Sequence, residues 1–176
     1  NPINVYGMSK YDSELEVLKH CKNSYVMRTA WLYGKYGDNF VRAMLRLMSE
    51  RERVRVVDDQ RGSPTRAKDL AETIVGFMLA VDGGRKVYPG VYHYTNEGDI
   101  TWREFAQTIY EEGRGLGMIA RECAVIPCAT EEYPTKARRP AYSILDKTKI
   151  KDALGIKIPD WKDSLIKFLS ELGGVK

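Results

Sequence analysis

Histidine and cysteine are scarce in this sequence. There are two histidines, His20 and His93, and three cysteines, Cys21, Cys123 and Cys128, with no C-x-x-C among them. An odd, widely spaced set of thiols makes neither a disulfide framework nor a Cys/His metal site. It suits a reducing cytosol. No apolar run approaches the length that spans a bilayer, and the N-terminus has no signal-peptide pattern. The expectation is a cytoplasmic protein without a membrane partner. Internal repeats and low-complexity stretches are absent. Charge of one sign is not gathered anywhere: 28 Lys+Arg and 24 Asp+Glu give a net charge of +4. In "RLMSERERVRVVDD" the two signs intermix, as on a solvated face rather than a nucleic-acid stripe. A small anionic substrate remains compatible with that balance. A glycine-rich phosphate-binding turn, G-x-x-G-x-x-G after a strand, is also missing. "GRGLG" at Gly113–Gly117 has the glycines but follows a helix, and reads as a helix stop.

What is present is an ordinary globular mixture, with 43% hydrophobic and 30% charged residues in 176. That length suits one domain, or one domain and part of another. Apolar periodicity predicts a helix over Val5–Cys21, with Tyr11, Leu15 and Leu18 on one stripe. "SYVMRTAWLYG" reads as a strand-like run ending at Gly34. A second helix fits Asn39–Arg51, with Phe40, Met44, Leu47 and Met48 inward. "RVRVVDD" alternates as a strand does, and Asp58 and Asp59 read as strand-end turn residues. "QRGSPTR" has loop chemistry. Ala67–Val81 is a helix with Leu70, Ile74, Phe77 and Met78 toward the core, followed by a short strand in "VYHYTN". Thr101 and Glu104 form a capping box opening another helix. A strand near "CAVIP", a long irregular stretch through "CATEEYPTKARRPAYS" and two closing helices follow. Asp160 caps the last, which carries Trp161, Leu165, Phe168, Leu169 and Leu172. Alternating strands and helices make the class α/β.

Tyr6 and Lys10 lie four residues apart and so share one helix face. An ammonium beside a phenol favours its ionised form, and such a tyrosine trades protons with a carbonyl or alcohol oxygen. Chance supplies about one such spacing in a chain this rich in Tyr and basic residues, so the neighbouring residues decide its meaning. Four segments line up in order: "NVYGMSK", "RTAWLYGKYGDNFVRAML", "VVDDQRGSPT" and "EEYPTKARRPAYSILD". Together they resemble the later part of the dTDP-4-dehydrorhamnose reductase family, within the extended short-chain dehydrogenase/reductase superfamily. The resemblance runs from Pro2 to about the final helix. The first segment is shared across the superfamily, and the fourth is the most specific.

The resemblance implies the later part of a Rossmann-like doubly wound sheet plus a small α/β substrate-binding region. The internal boundary between them is not readable. It implies that residues 1–176 correspond to the C-terminal portion of such a reductase, that the cofactor-binding half lies elsewhere, and that the chain alone is inactive. The implied cofactor is NADP or NAD, with NADPH favoured, and the implied partner is a dTDP-sugar. A homodimer is compatible with it. By resemblance Tyr6 is the proton donor to the C4 carbonyl of the keto-sugar. Lys10 supports the phenol and bonds the nicotinamide ribose, and Thr29 and Ala30 lie close to the nicotinamide.

Other residues carry two readings. Trp31 follows a strand end, as a half-buried core residue or as a wall for a sugar ring. Asn39 is an N-cap, or part of an anion site at a helix N-terminus. Gln60, Pro64 and Thr65 belong to a well-made turn, or to the pocket, with Gln60 and Thr65 hydrogen-bonding sugar or nucleotide. Trp102 reads as packing. Arg138 and Arg139 suit a diphosphate by forked hydrogen bonds or a structural carboxylate, with Arg139 the better diphosphate candidate. Two other functions fit the scaffold: epimerisation or dehydration of another nucleotide sugar, and a non-catalytic regulatory subunit. The "GSPT" and "YPTKARRP" segments argue against the first, and the Tyr6/Lys10 pair against the second.

Overall fold

A computed structural model of the chain describes residues 2–133 and 137–174. Pro134, Thr135 and Lys136 of the fourth segment lie outside the described residues. Asn4 opens helix α1 (Val5–His20), its Oδ1 accepting the Gly7 N–H at 2.7 Å. Strand β1 (Tyr25–Arg28) and the two-residue β2 (Leu32–Tyr33) follow. The apolar run expected as one strand is therefore two, broken at Thr29–Trp31. Helix α2 (Phe40–Glu50) has Asn39 as its N-cap, and β3 (Arg53–Val57) buries every second residue. The segment expected to be pure loop contributes two short strands, β4 (Arg61–Gly62) and β5 (Thr65–Arg66), before α3 (Ala67–Asp82). Then come β6 (Gly90–His93), β7 (Ile100–Thr101), α4 (Trp102–Gly115) and β8 (Ala124–Cys128). A 3-10 turn at Thr130–Glu132, α5 (Thr148–Leu154) and α6 (Trp161–Leu172) complete the chain.

The pairs β1–β6, β2–β5 and β3–β8 are parallel, and β4–β7 is antiparallel. Parallel partners need helical crossovers, and the helices supply them. This is the α/β, Rossmann-like class expected from the sequence. One apolar cluster gathers Tyr33, Val41, Phe105, Leu165 and Phe168 between α2, α4 and α6. A second packs Phe77, Tyr92, Ile150 and Leu154 around β1 and β6. A third joins Met48, Val54, Val56 and Ile119 beside β3.

Two expected core stripes are corrected. Helix α1 has no buried residue, and Tyr11 and Leu15 are exposed. On α3, Phe77 is buried and Leu70 packs against it, but Ile74 and Met78 face outward with Val75 and Leu79. Helical period identifies an apolar face without saying what covers it, and from Ile74 to Val81 α3 has no polar side chain on any face. No helix among the described residues is long and apolar enough to cross a membrane.

The α4 capping box forms as its sequence dictates. Thr101 Oγ1 accepts the Glu104 N–H at 3.1 Å while Glu104 Oε2 accepts the Thr101 N–H at 2.6 Å. The same hydroxyl donates to Asp58 Oδ1 at 2.6 Å, tying α4 to the end of β3. Thr101→Ala is expected to cost about 1–2 kcal/mol, read as a lower urea midpoint at unchanged slope. An unchanged midpoint would mean that packing alone holds this helix start.

Candidate functional site

The site begins with the break between β1 and β2. Trp31 has φ +49°, and among the described residues it is the one non-glycine with positive φ. A bulky residue there costs roughly 1–2 kcal/mol, so its surroundings must hold it. Thr65, fully buried, donates its N–H to Trp31 O at 3.1 Å and its hydroxyl to Ala30 O at 2.6 Å. The break turns the indole onto Trp102, with ring centroids 3.6 Å apart and planes 12° apart. Phe40 closes behind Trp102 at 4.6 Å.

Two adjoining cavities share this aromatic pair. One, of about 420 Å³, is lined by Asn4, Tyr6, Ala30, Trp31, Gln60, Trp102, Ala137, Arg139, Pro140 and Ser143. The other, of about 470 Å³, has Phe40, Met44, Leu47, Val56 and Val57 as its apolar wall, with Tyr133 and Arg55 also lining it. Trp31, Gln60, Trp102 and Arg139 line both, so the cavities are two lobes of one cleft.

Tyr6 is 70% exposed on α1, with Lys10 Nζ 5.7 Å from its ring centroid. The predicted pair thus shares one open face. Gln60 is buried and donates Nε2–H to Thr130 Oγ1 at 3.0 Å. Thr130 in turn donates N–H and Oγ1–H to Asp59 at 2.9 and 2.6 Å. Those two bonds, hydroxyl first, hold the Asp59 carboxyl below its usual range. Arg55 pairs with Glu132 at 2.7 Å. At the far end of the same segment, Arg61 N–H donates to Ala141 O and Ser143 N–H to Arg61 O. Between these anchors, Asn4 Nδ2 donates to Arg138 O at 2.8 Å. The segment carrying Arg139 is thereby fixed to β3, to β4 and to the start of the Tyr6 helix. Arg139 forms no ion pair among the described residues, leaving its charge available to a ligand.

Of the residues singled out from the sequence, the structure gathers Tyr6, Ala30, Trp31, Gln60 and Arg139 in one cleft. Lys10 shares the Tyr6 face, and Thr29 is exposed at the end of β1. Asn39 is elsewhere: its side chain caps α2 and donates to Gly34 O, beside a different surface hollow. Pro64 and Thr65 are buried and do not line the cleft. Sequence reasoning missed Trp102 as a cleft wall, because an aromatic at a helix start is usually packing. It also missed Asn4, whose capping role is legible but whose bond to Arg138, 134 residues away, is not.

The chain resembles known proteins over nearly its whole length. The family described as "RmlD substrate binding domain" matches residues 1–173. A dTDP-4-dehydrorhamnose reductase from Aggregatibacter actinomycetemcomitans is 39% identical, over 94% of this chain and 56% of its own length. The spore coat polysaccharide biosynthesis protein SpsK of Bacillus subtilis is 41% identical, over 97% of this chain and 56% of its own. The crystal structure of a dTDP-4-dehydrorhamnose reductase from Bacillus anthracis, in complex with NADP, superposes with a TM-score of 0.86 at 38% identity. It is covered over 57% of its length, and this chain over 97%. The chain therefore spans somewhat more than half the length of these relatives, and it belongs to the RmlD substrate-binding-domain family.

Proposed function

We propose that the protein built on this chain reduces dTDP-4-dehydro-6-deoxy-L-mannose to dTDP-L-rhamnose, with NAD(P)H as reductant. The observation that carries this reading is the single cleft that joins Tyr6, the Trp31–Trp102 pair, Gln60 and Arg139. When bound, NAD(P)H supplies a hydride to C4 of the sugar. The residues on this chain that fit it are Lys10 and Tyr6 on an open helix face, and Thr29 and Ala30 at the end of β1. NADPH is the favoured form, in keeping with the NADP complex of the B. anthracis relative.

The chain's own task is to bind the sugar nucleotide and deliver one proton. Tyr6 donates its hydroxyl proton to the C4 oxygen, so that C=O becomes CH–OH once carbon has gained hydride. The Lys10 ammonium steadies the negative charge left on the phenol oxygen. The indole of Trp31 walls the sugar lobe. Arg139, at the seam of the two lobes and without a carboxylate partner among the described residues, takes the diphosphate in a forked geometry. The apolar lobe beyond it receives the thymine ring.

Binding of dTDP to the 176-residue chain tests this arrangement. With part of the ligand in water, a dissociation constant on the order of 1 mM or somewhat below is expected, about −4 kcal/mol. Free thymidine should bind more weakly. Arg139→Ala should remove a further 1.5–3 kcal/mol or so, the usual contribution of a charged hydrogen bond. Ligand-observed NMR measures all three. Equal binding of dTDP and thymidine, or no effect of Arg139→Ala, would take the diphosphate away from Arg139.

A further inference from the structure

Thr65 has nothing left to offer a ligand. Its N–H and hydroxyl hydrogen go to the carbonyls on either side of the Trp31 nitrogen and Cα, and its oxygen accepts the Thr29 hydroxyl at 3.3 Å. The loop's one glycine, Gly62, is equally committed. A Cβ on Gly62 would sit 2.3 Å from Trp31 Cε2 and 2.6 Å from Cζ2 and Nε1. No side chain fits in that space, and the Gly62 backbone cannot retreat, because it is paired with Ile100 in the β4–β7 ladder. The Trp31 indole is thus confined by Gly62, by the Trp102 ring and by a left-handed backbone that Thr65 hydrogen bonds hold. The confined ring is the wall common to both lobes.

We propose that Gly62 and Thr65 are positioning residues, which act on the sugar nucleotide through Trp31 rather than by touching it. This rests on the nucleotide-sugar reading above. Unfavourable backbone persists where the surroundings over-determine it, and it clusters at ligand sites. Here the two over-determining residues come from one turn, three positions apart. Thr65 thereby has a different task from the direct ligand bond its sequence context suggests.

The test uses the isotope-labelled chain, whose three tryptophans are Trp31, Trp102 and Trp161. In the parent, indole-to-indole proton contacts join Trp31 and Trp102. Trp161 packs on Gly98 and Phe105 and reports folding independently. In Gly62→Ala and in Thr65→Val the Trp31–Trp102 contacts are expected to vanish while the Trp161 indole resonance stays. The dTDP dissociation constant should rise at least about fivefold, close to 1 kcal/mol. Thr65→Ser, which keeps the hydroxyl, should restore both readouts. If Gly62→Ala displaces the Trp161 resonance as well, the Thr65 pair of variants decides. Retained indole contacts in Thr65→Val would overturn the proposal, and so would lost contacts with unchanged dTDP affinity. If the parent binds no dTDP, the nucleotide-sugar reading fails, while the indole contacts still show whether Gly62 and Thr65 hold Trp31.

Discussion

Under the proposed function, Tyr6→Phe in the full-length protein is expected to lower turnover by roughly 10²–10⁴, the usual contribution of a positioned general acid. The phenol is exposed on α1 and lines the smaller lobe, so the substitution removes one hydroxyl and leaves the ring in place. No bond within the described protein depends on that hydroxyl, and folding should be unchanged. Substrate affinity should change little, because Trp31, Gln60 and Arg139 remain. The kinetic pattern is therefore a fall in kcat at nearly constant KM, an interaction made in the transition state rather than in the ground state. Steady-state oxidation of NAD(P)H with the keto-sugar measures it. Near-normal turnover would show that another group delivers the proton.

A comparably large effect on stability is expected at Asp69. Its Oδ2 accepts hydrogen bonds from Asn96 Nδ2 at 2.8 Å and Ser164 Oγ at 2.5 Å, and its Oδ1 faces Arg66 Nη1 at 3.2 Å. All four residues are buried. Through them the start of α3, the segment after β6 and α6 are joined at one carboxylate. Asp69→Ala takes the shared acceptor from Asn96 and Ser164, leaving Asn96 Nδ2 with Ser164 Oγ at 3.1 Å and Pro159 O at 3.4 Å, and leaves the buried Arg66 with Glu171 alone, at 2.7 Å. Breaking a buried charged network from one side costs about 3–5 kcal/mol. In a domain of this size that lowers the melting temperature by about 6–20 °C. Thermal and urea unfolding of the variant beside the parent provide the measurement. A loss under about 1 kcal/mol would show that packing, not the carboxylate, joins these elements.

The contrast between these two residues shows what the sequence made legible. Tyr6 stood out because its partner Lys10 is four residues away and helical spacing is local. Asp69 did not: Arg66 is only three residues away, but Asn96 and Ser164, which make the carboxylate a junction, lie 27 and 95 residues away. The same division runs through the fold. Caps at Asn39, Thr101 and Asp160 and the alternation of β3 are local and were read correctly. The break at Trp31 was hidden, since an apolar run looks continuous until tertiary hydrogen bonds from Thr65 force one residue left-handed. The cleft was legible as a set of residue types whose grouping came from family resemblance. Its aromatic pair was not, because nothing in the sequence says that Trp102 meets Trp31 across 71 residues. Exposure of α1 was equally invisible: amphipathic spacing names a face, and the covering partner is set elsewhere.

The central claim is that one cleft on this chain holds the sugar beside Tyr6 and the nucleotide base in the apolar lobe beyond Arg139. Proton–proton contacts between the chain and bound dTDP-L-rhamnose, recorded by NMR with the methionine methyls labelled, test it directly. The account predicts contacts from the rhamnose ring to the Tyr6 ring, and from the thymine methyl to the Met44 methyl in the larger lobe. Thymine contacts at Tyr6, or rhamnose contacts at Met44, would contradict it.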